Sequence, residues 1–117
     1  MKILFIINDA PYGTEKAYNA LRMGMQVQRS DEKAEMRVFL MADAVTAALE
    51  NQKTAEGYYN IERMLRSILK RGGKVKICST CAEARGISSL SLIGGTELST
   101  IKELVDWTLD SDKILNF

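Results

Sequence analysis

Residues 3–7 read "ILFII", an unbroken apolar run. A strand with one wet face alternates polar and apolar residues, whereas a continuous run suits a strand buried on both faces, as in a parallel sheet. Parallel neighbours need long crossover connections, usually helices. The turn-rich "NDAPYG" follows the run and contains the only proline, Pro11. Thr14 is placed to cap the next helix, with Glu15 in its first turn. Ala17, Ala20, Leu21, Gly24, Met25 and Val27 fall on one side of that helix, small enough in part to approach a sheet closely.

The same alternation of elements continues along the chain. "MRVFLM" at 36–41 reads as a second strand, and "ADAVTAALE" as a helix with Asp43 near its start, where cap preferences suit it. "NQKTAEGYYN" is a polar connection ending at a good cap, Asn60. Ile61, Met64, Leu65, Ile68 and Leu69 then repeat at amphipathic helical spacing. Gly72-Gly73 ends that helix. "KVKICS" alternates as a third strand, and "TCAEARG" predicts a short helix closed by Gly86. "SLSLI" is the expected fourth strand, before the break at Gly94-Gly95. Thr100 and Glu103 form a T-x-x-E capping box for a last helix with Ile101, Leu104, Val105 and Leu109 as its apolar side, and "DKILNF" closes the chain as a strand. The order predicts one α/β domain over 1–117, a three-layer fold of flavodoxin-like (Rossmann-like) type. Its mainly parallel sheet has four to five strands, with helices on both faces and right-handed crossovers. The loops leaving the first three strands, "NDAPYG", "MADAV" and "CSTC", then gather at the carboxyl edge of the sheet, where open α/β sheets bind ligands.

Composition removes several function classes. Sixteen Lys+Arg against 15 Asp+Glu leave a net charge of +1, which makes no electrostatic case for nucleic acid or an anionic membrane surface. The apolar run after Lys2 stops at Asn8-Asp9, shorter than the about 7–15 residues of a secretory signal. No segment approaches the roughly 20 apolar residues of a membrane span. A cytoplasmic location follows as the expectation, with its thiols kept reduced. The chain has no histidine, so His-based acid–base catalysis, Cys-His and Ser-His-Asp triads and His-containing metal sites are excluded unless another chain supplies the residue. Two cysteines are too few for an all-cysteine zinc site within one chain, which leaves only a zinc shared across a dimer. No resident metal and no organic cofactor is expected.

Both cysteines, Cys78 and Cys81, sit in "KICSTCAEARGI". Only about 2% of random cysteine pairs in such a chain would fall three apart, so the spacing carries information. Buried cysteines also serve as small hydrophobes, and for Cys81 that packing role is slightly preferred. Cys78 ends a strand and precedes a helix, so free N–H groups of Ser79, Thr80 and Cys81 can face its sulfur and favour the thiolate. Lys76, two residues earlier, shares its strand face. Arg85 lies one to two helical turns beyond. Asn8, Asp9, Tyr12 and Asp43 lie on the neighbouring loops and are candidate site-lining residues, although Asp43 also fits a cap. Tyr58 and Tyr59 lie in or near loops, and Trp107 flanks the last helix's apolar side; either position suits an interface or the core. A thioredoxin-like dithiol fits the C-x-x-C but not the position of Pro11 or the element order. A nucleotide site at "NDAPYGTE" lacks the glycine-rich phosphate patterns.

"ILFIINDAPYGTEKAYNALRMG", "MRVFLMADAVTAAL", "EGYYNIERML", "VKICSTCAEARGI" and "ELVDWTLDSDKILNF" together resemble the YchN-like branch of the DsrE/DsrF (DsrE/TusD-like) sulfur-relay family, from residue 3 to residue 117. The resemblance implies a compact α/β domain that assembles into homotrimers or homohexamers. It implies a carrier in which the cysteine at position 78 takes sulfane sulfur from a donor protein as a persulfide and passes it to an acceptor. Cys81 resembles the second cysteine of that branch. The alternatives are a binding or regulatory oligomer without thiol chemistry, and a dithiol redox protein using both cysteines.

Overall fold

A computed structural model describes residues 1–117. The strands are β1 (Lys2–Ile7), β2 (Glu35–Leu40), β3 (Lys74–Cys78), β4 (Thr96–Ser99) and β5 (Lys113–Asn116). The α-helices are α1 (Lys16–Ser30), α2 (Ile61–Lys70), α3 (Ser79–Ala84) and α4 (Ile101–Asp110), with a 3-10 helix over Ala42–Ala48. The five strands form one sheet in the order β4-β3-β2-β1-β5, and every pair is parallel.

Strand order and handedness together assign the helices to faces. From β1 through β4 the chain steps in one direction, so right-handed crossovers put α1 and α2 on the same face. The return from β4 to β5 runs the opposite way across the whole sheet, which places α4 on the other face. The register agrees. Ile3, Phe5 and Ile7 pair with Met36, Val38 and Leu40, and the last two pair with Val75 and Ile77. Those residues form the α1/α2 side of the core, where a Cβ at Gly24 would already lie 3.4 Å from Ile68 and Met36. Alternation sends Leu4, Arg37, Phe39, Lys76 and Cys78 to the opposite face. There the Trp107 ring of α4 meets Phe39 edge-on at 6.1 Å, with the Arg37 guanidinium 5.5 Å and the Lys76 ammonium 4.6 Å from its centroid. Trp107 is therefore a core residue.

Five expectations are corrected. Thr14 does not cap α1: the capping position is Glu15, which makes no side-chain capping bond and lies outside the first turn. The fourth strand is Thr96–Ser99, not "SLSLI"; Leu92 makes only an isolated antiparallel bridge to Leu49. The chain turns at Gly95, whose φ is +95°, and pairs afterwards. "TELS" carries no strand-like pattern because an edge strand needs only one partner, and two of its side chains stay exposed. "ADAVTAALE" winds as a 3-10 helix, burying Ala44, Val45, Ala47 and Ala48. The apolar side of α4 is rotated from the one predicted: Leu104 is buried as expected, but with Trp107, whereas Ile101, Val105 and Leu109 face solvent. Asp43 is no cap, since the residue before the 3-10 helix is Met41 and makes no side-chain capping bond. Asn60 and Thr100 do cap α2 and α4, accepting from Arg63 N–H and Glu103 N–H.

The α2–β3 turn is the tightest backbone approach. A Cβ at Gly73 would stand 2.5 Å from Ile68 Cγ2 and 2.8 Å from the Ile68 carbonyl oxygen, while at Gly72 it would meet nothing. Gly72 instead has φ +86°, which disfavours a side chain. Gly73→Ala is expected to cost about 1–3 kcal/mol through forced displacement of Ile68. Gly72→Ala should cost about 1 kcal/mol from backbone conformation alone. Urea unfolding midpoints of the two variants check the order.

Candidate functional site

Cys78 is the last residue of β3 and the N-cap of α3. Its Sγ accepts a hydrogen bond from the Cys81 backbone N–H at 3.3 Å. The strand-to-helix junction predicted from "KVKICSTC" is thus present, with the sulfur over the first turn of α3. The residue is buried but not sealed, at 8% exposed. Cys81 is half-buried and packs at the margin of the core. Ser79 is half-buried, and Thr80 is exposed.

The thiol's proton affinity runs against the sequence argument. Burial, reinforced by the neighbouring Cys81 thiol, pushes the Cys78 pKa above the ordinary cysteine value. The N–H groups of Cys81 and Thr80 pull it down but do not prevail. In the isolated chain Cys78 is therefore a thiol at neutral pH.

Lys76 shares the face of Cys78, as expected, but its ammonium is engaged elsewhere. It lies 2.8 Å from Glu103 Oε2 and over the Trp107 ring. Glu103 also accepts from the hydroxyl of Ser99. Lys76, followed by that hydroxyl, holds the Glu103 carboxyl below its usual range. Ser99 is almost fully buried and is the register partner of Cys78 on β4. The polar chain Ser99–Glu103–Lys76 thus borders the cysteine on the α4 face. Sequence reasoning missed Ser99 because its strand was not foreseen. The capping box did single out Glu103, yet its carboxylate serves Ser99 and Lys76 rather than the cap.

Asp43 and Arg85 come together beside the cysteine loop. Arg85 donates from Nε to Asp43 Oδ1 at 2.9 Å and from Nη1 to the Cys81 carbonyl at 3.1 Å. The loop after β2 is thereby tied to α3. Ala42, just before Asp43, has φ +50°, a left-handed conformation that costs a residue with a Cβ about 1–2 kcal/mol.

The other candidates are engaged away from the sulfur. Asn8 donates to Asn116 Oδ1 at 2.8 Å and to the Phe117 carbonyl at 3.0 Å, closing β1 onto β5. Asp9 accepts from Thr14 Oγ1 at 2.8 Å within its own loop. The Tyr12 hydroxyl donates to Gln52 and accepts from Ile61 N–H at 3.1 Å. Tyr12 belongs to a stack in which Tyr59 lies 4.2 Å from Tyr18, 4.4 Å from Tyr58 and 6.0 Å from Tyr12. The adjacent Tyr58 hydroxyl pushes the Tyr59 pKa up to about 12. This stack fastens the 51–60 connection to α1. No group of three or more His, Cys, Asp or Glu side chains is gathered for a metal ion. No helix is long and apolar enough to cross a membrane.

Comparison with known proteins agrees with this architecture. Residues 1–117 match the DsrE/DsrF-like family. The chain is 47% identical over 116 residues to protein YchN of Escherichia coli K12, covering 99% of this chain and 98% of the relative. It is 36% identical over 115 residues to an uncharacterized protein of Methanopyrus kandleri, covering 98% and 93%. The crystal structure of the E. coli ychN protein superposes with a TM-score of 0.96 at 46% identity, covering 100% and 99%. A protein of unknown function from Methanobacterium thermoautotrophicum shares the fold, with a TM-score of 0.79 at 13% identity over 99% and 98% of the two chains.

The raised thiol pKa has a kinetic consequence. Alkylation of Cys78 by iodoacetamide, followed by peptide mapping, is expected to accelerate with pH to a midpoint above that of an unperturbed cysteine. A midpoint below the ordinary value would contradict this account of the site.

Proposed function

The chain belongs to the DsrE/DsrF-like family, and on that basis we propose that it is a sulfur carrier with Cys78 as the sulfur-bearing nucleophile. The observation that carries the reading is the placement of Cys78 Sγ at the carboxyl end of β3, against the Cys81 N–H that opens α3. Thiol exchange requires an in-line thiolate and a leaving thiolate, and no histidine or metal. A donor persulfide R–S–SH meets the Cys78 thiolate, which attacks the outer sulfur. The S–S bond of the donor breaks, R–S⁻ leaves and takes up the proton released by Cys78, and Cys78–S–SH remains. Transfer to an acceptor thiol repeats the exchange in reverse.

The environment suits such a cargo. An added sulfur lengthens the side chain by about 2 Å, carrying the reactive atom outward from a shielded Sγ. The N–H groups at the start of α3 favour the anionic form in which sulfur is attacked or released. Burial keeps the unloaded cysteine protonated and protected, so a donor protein that opens the site would relieve that burial and favour the thiolate. Donor and acceptor proteins are part of the proposal, as is a cytoplasmic location in which thiols stay reduced.

Self-association, as a homotrimer or homohexamer, belongs to the same reading. Ile101, Val105 and Leu109 repeat on one stripe of α4 and are 65%, 48% and 81% exposed. Such apolar surface suits burial between subunits.

Intact mass after incubation with inorganic polysulfide and removal of excess donor tests the carrier. One added sulfur is expected, absent in Cys78→Ala and present in Cys81→Ala. Failure of both wild type and Cys81→Ala to acquire sulfur, while Cys78 still alkylates, would overturn the reading. A non-catalytic binding oligomer gives that null result, whereas a simple dithiol redox protein gives a reversible disulfide without any sulfur adduct in Cys81→Ala. Light scattering should report an oligomer at micromolar concentration, and Val105→Glu should shift its mass toward the monomer.

A further inference from the structure

We propose that Cys81 is a resolving thiol that discharges the loaded carrier, attacking Cys78 Sγ and expelling the outer sulfur as sulfide. This rests on the carrier reading of Cys78 and assigns a chemical role to the second cysteine. Cys78 is the N-cap and Cys81 the third residue of α3, so the Cys81 backbone lies directly against the Cys78 sulfur, 3.3 Å from N to Sγ. The Cβ–Sγ arm of Cys81 leaves the chain one bond from the atom that already touches that sulfur. The inner sulfur of a Cys78 persulfide, not the outer one, is the atom beside which Cys81 begins.

The second cysteine is also held in place and is the more accessible of the two. Arg85 grips the Cys81 carbonyl from Nη1 at 3.1 Å and is itself tied to Asp43. Cys81 is half-buried where Cys78 is buried. The clamp satisfies a carbonyl of the last turn of α3 and so fixes the backbone from which the Cys81 thiol projects.

The step balances. Cys81–S⁻ attacks Cys78 Sγ, the Cys78 S–S bond breaks, and HS⁻ leaves as the Cys78–Cys81 disulfide forms. The sulfane sulfur is reduced to sulfide and the two cysteine sulfurs are oxidised. A dithiol reductant then returns two electrons and two protons to restore both thiols. Discharge competes with delivery. A carrier that meets its acceptor passes sulfur on, and one that does not releases sulfide and closes until it is reduced.

Inorganic polysulfide loads the full chain, gel filtration removes the donor, and intact mass and free sulfide are followed over time. Wild type is expected to lose the added sulfur, end two hydrogens lighter than the reduced chain and release one sulfide per chain. Cys81→Ala and Cys81→Ser should keep the added sulfur at least about tenfold longer, since the intramolecular attacking thiol is gone. Peptide mapping should find the Cys78–Cys81 bond in discharged wild type. Wild type that shows this disulfide and sulfide from the first time point, while the Cys81 variants hold sulfur, supports the same conclusion. Equal decay in wild type and variants, or decay without the disulfide, overturns the resolving role and leaves the carrier intact. Absence of loading in the Cys81 variants overturns the carrier reading instead, and the resolving role with it.

Discussion

In a sheet whose strands all run the same way, every connection must bring the chain from the carboxyl edge back to the amino edge. Most of this structure follows from that constraint. Four strands are laid down in one direction, with α1 and α2 packed on one face. The fifth strand lies at the far edge, so a single helix, α4, must carry the chain back across the other face. One ten-residue helix covers a five-stranded sheet thinly. The α1/α2 face is accordingly apolar, whereas the α4 face admits Arg37, Lys76 and Ser99 among Leu4 and Phe39.

Those polar groups are made tolerable by α4 itself. Trp107 lies under the Arg37 and Lys76 cations, Glu103 receives Lys76 and Ser99, and Asp110 pairs with Arg37 at 2.8 Å. Buried charge is costly unless paired and hydrogen-bonded, so α4 joins the sheet through ion pairs to Arg37 and Lys76 as well as through the apolar contact of Trp107. Its remaining apolar side chains point outward, where they support the proposed assembly. Cys78 sits at the end of this face, bordered by the polar chain through Ser99.

The cysteine shows opposing effects of comparable kind. A helix start offers N–H groups that stabilise a sulfur anion, while enclosure removes the water that would stabilise it further. Enclosure wins in the isolated chain, and Cys78 stays protonated. Spacing along the chain reports the first effect but not the second, because burial depends on what α3, β4 and the 3-10 segment place around the sulfur. For the same reason the loops were legible as neighbours but not as a site. Asn8, Asp9 and Tyr12 leave the correct edge, yet their hydrogen bonds go to β5, to their own loop and to the 51–60 connection. Only Asp43 and Arg85 join the cysteine loop.

The amino-acid sequence by itself determined the layered α/β class, four of the five strands near their observed bounds, the caps at Asn60 and Thr100, and the strand-to-helix position of Cys78. These are local properties: apolar runs, helical spacing, turn residues and caps act over a few neighbours. Tertiary structure alone decided that "TELS" is a strand, that α4 buries Trp107 rather than Ile101 and Val105, and that Glu103 serves Ser99 and Lys76. An edge strand exists only because β3 offers it a hydrogen-bonding partner, and the buried side of a helix is chosen by the sheet beneath it. Pairing and burial are set between segments far apart in the chain, so neither is written in the local pattern of either one.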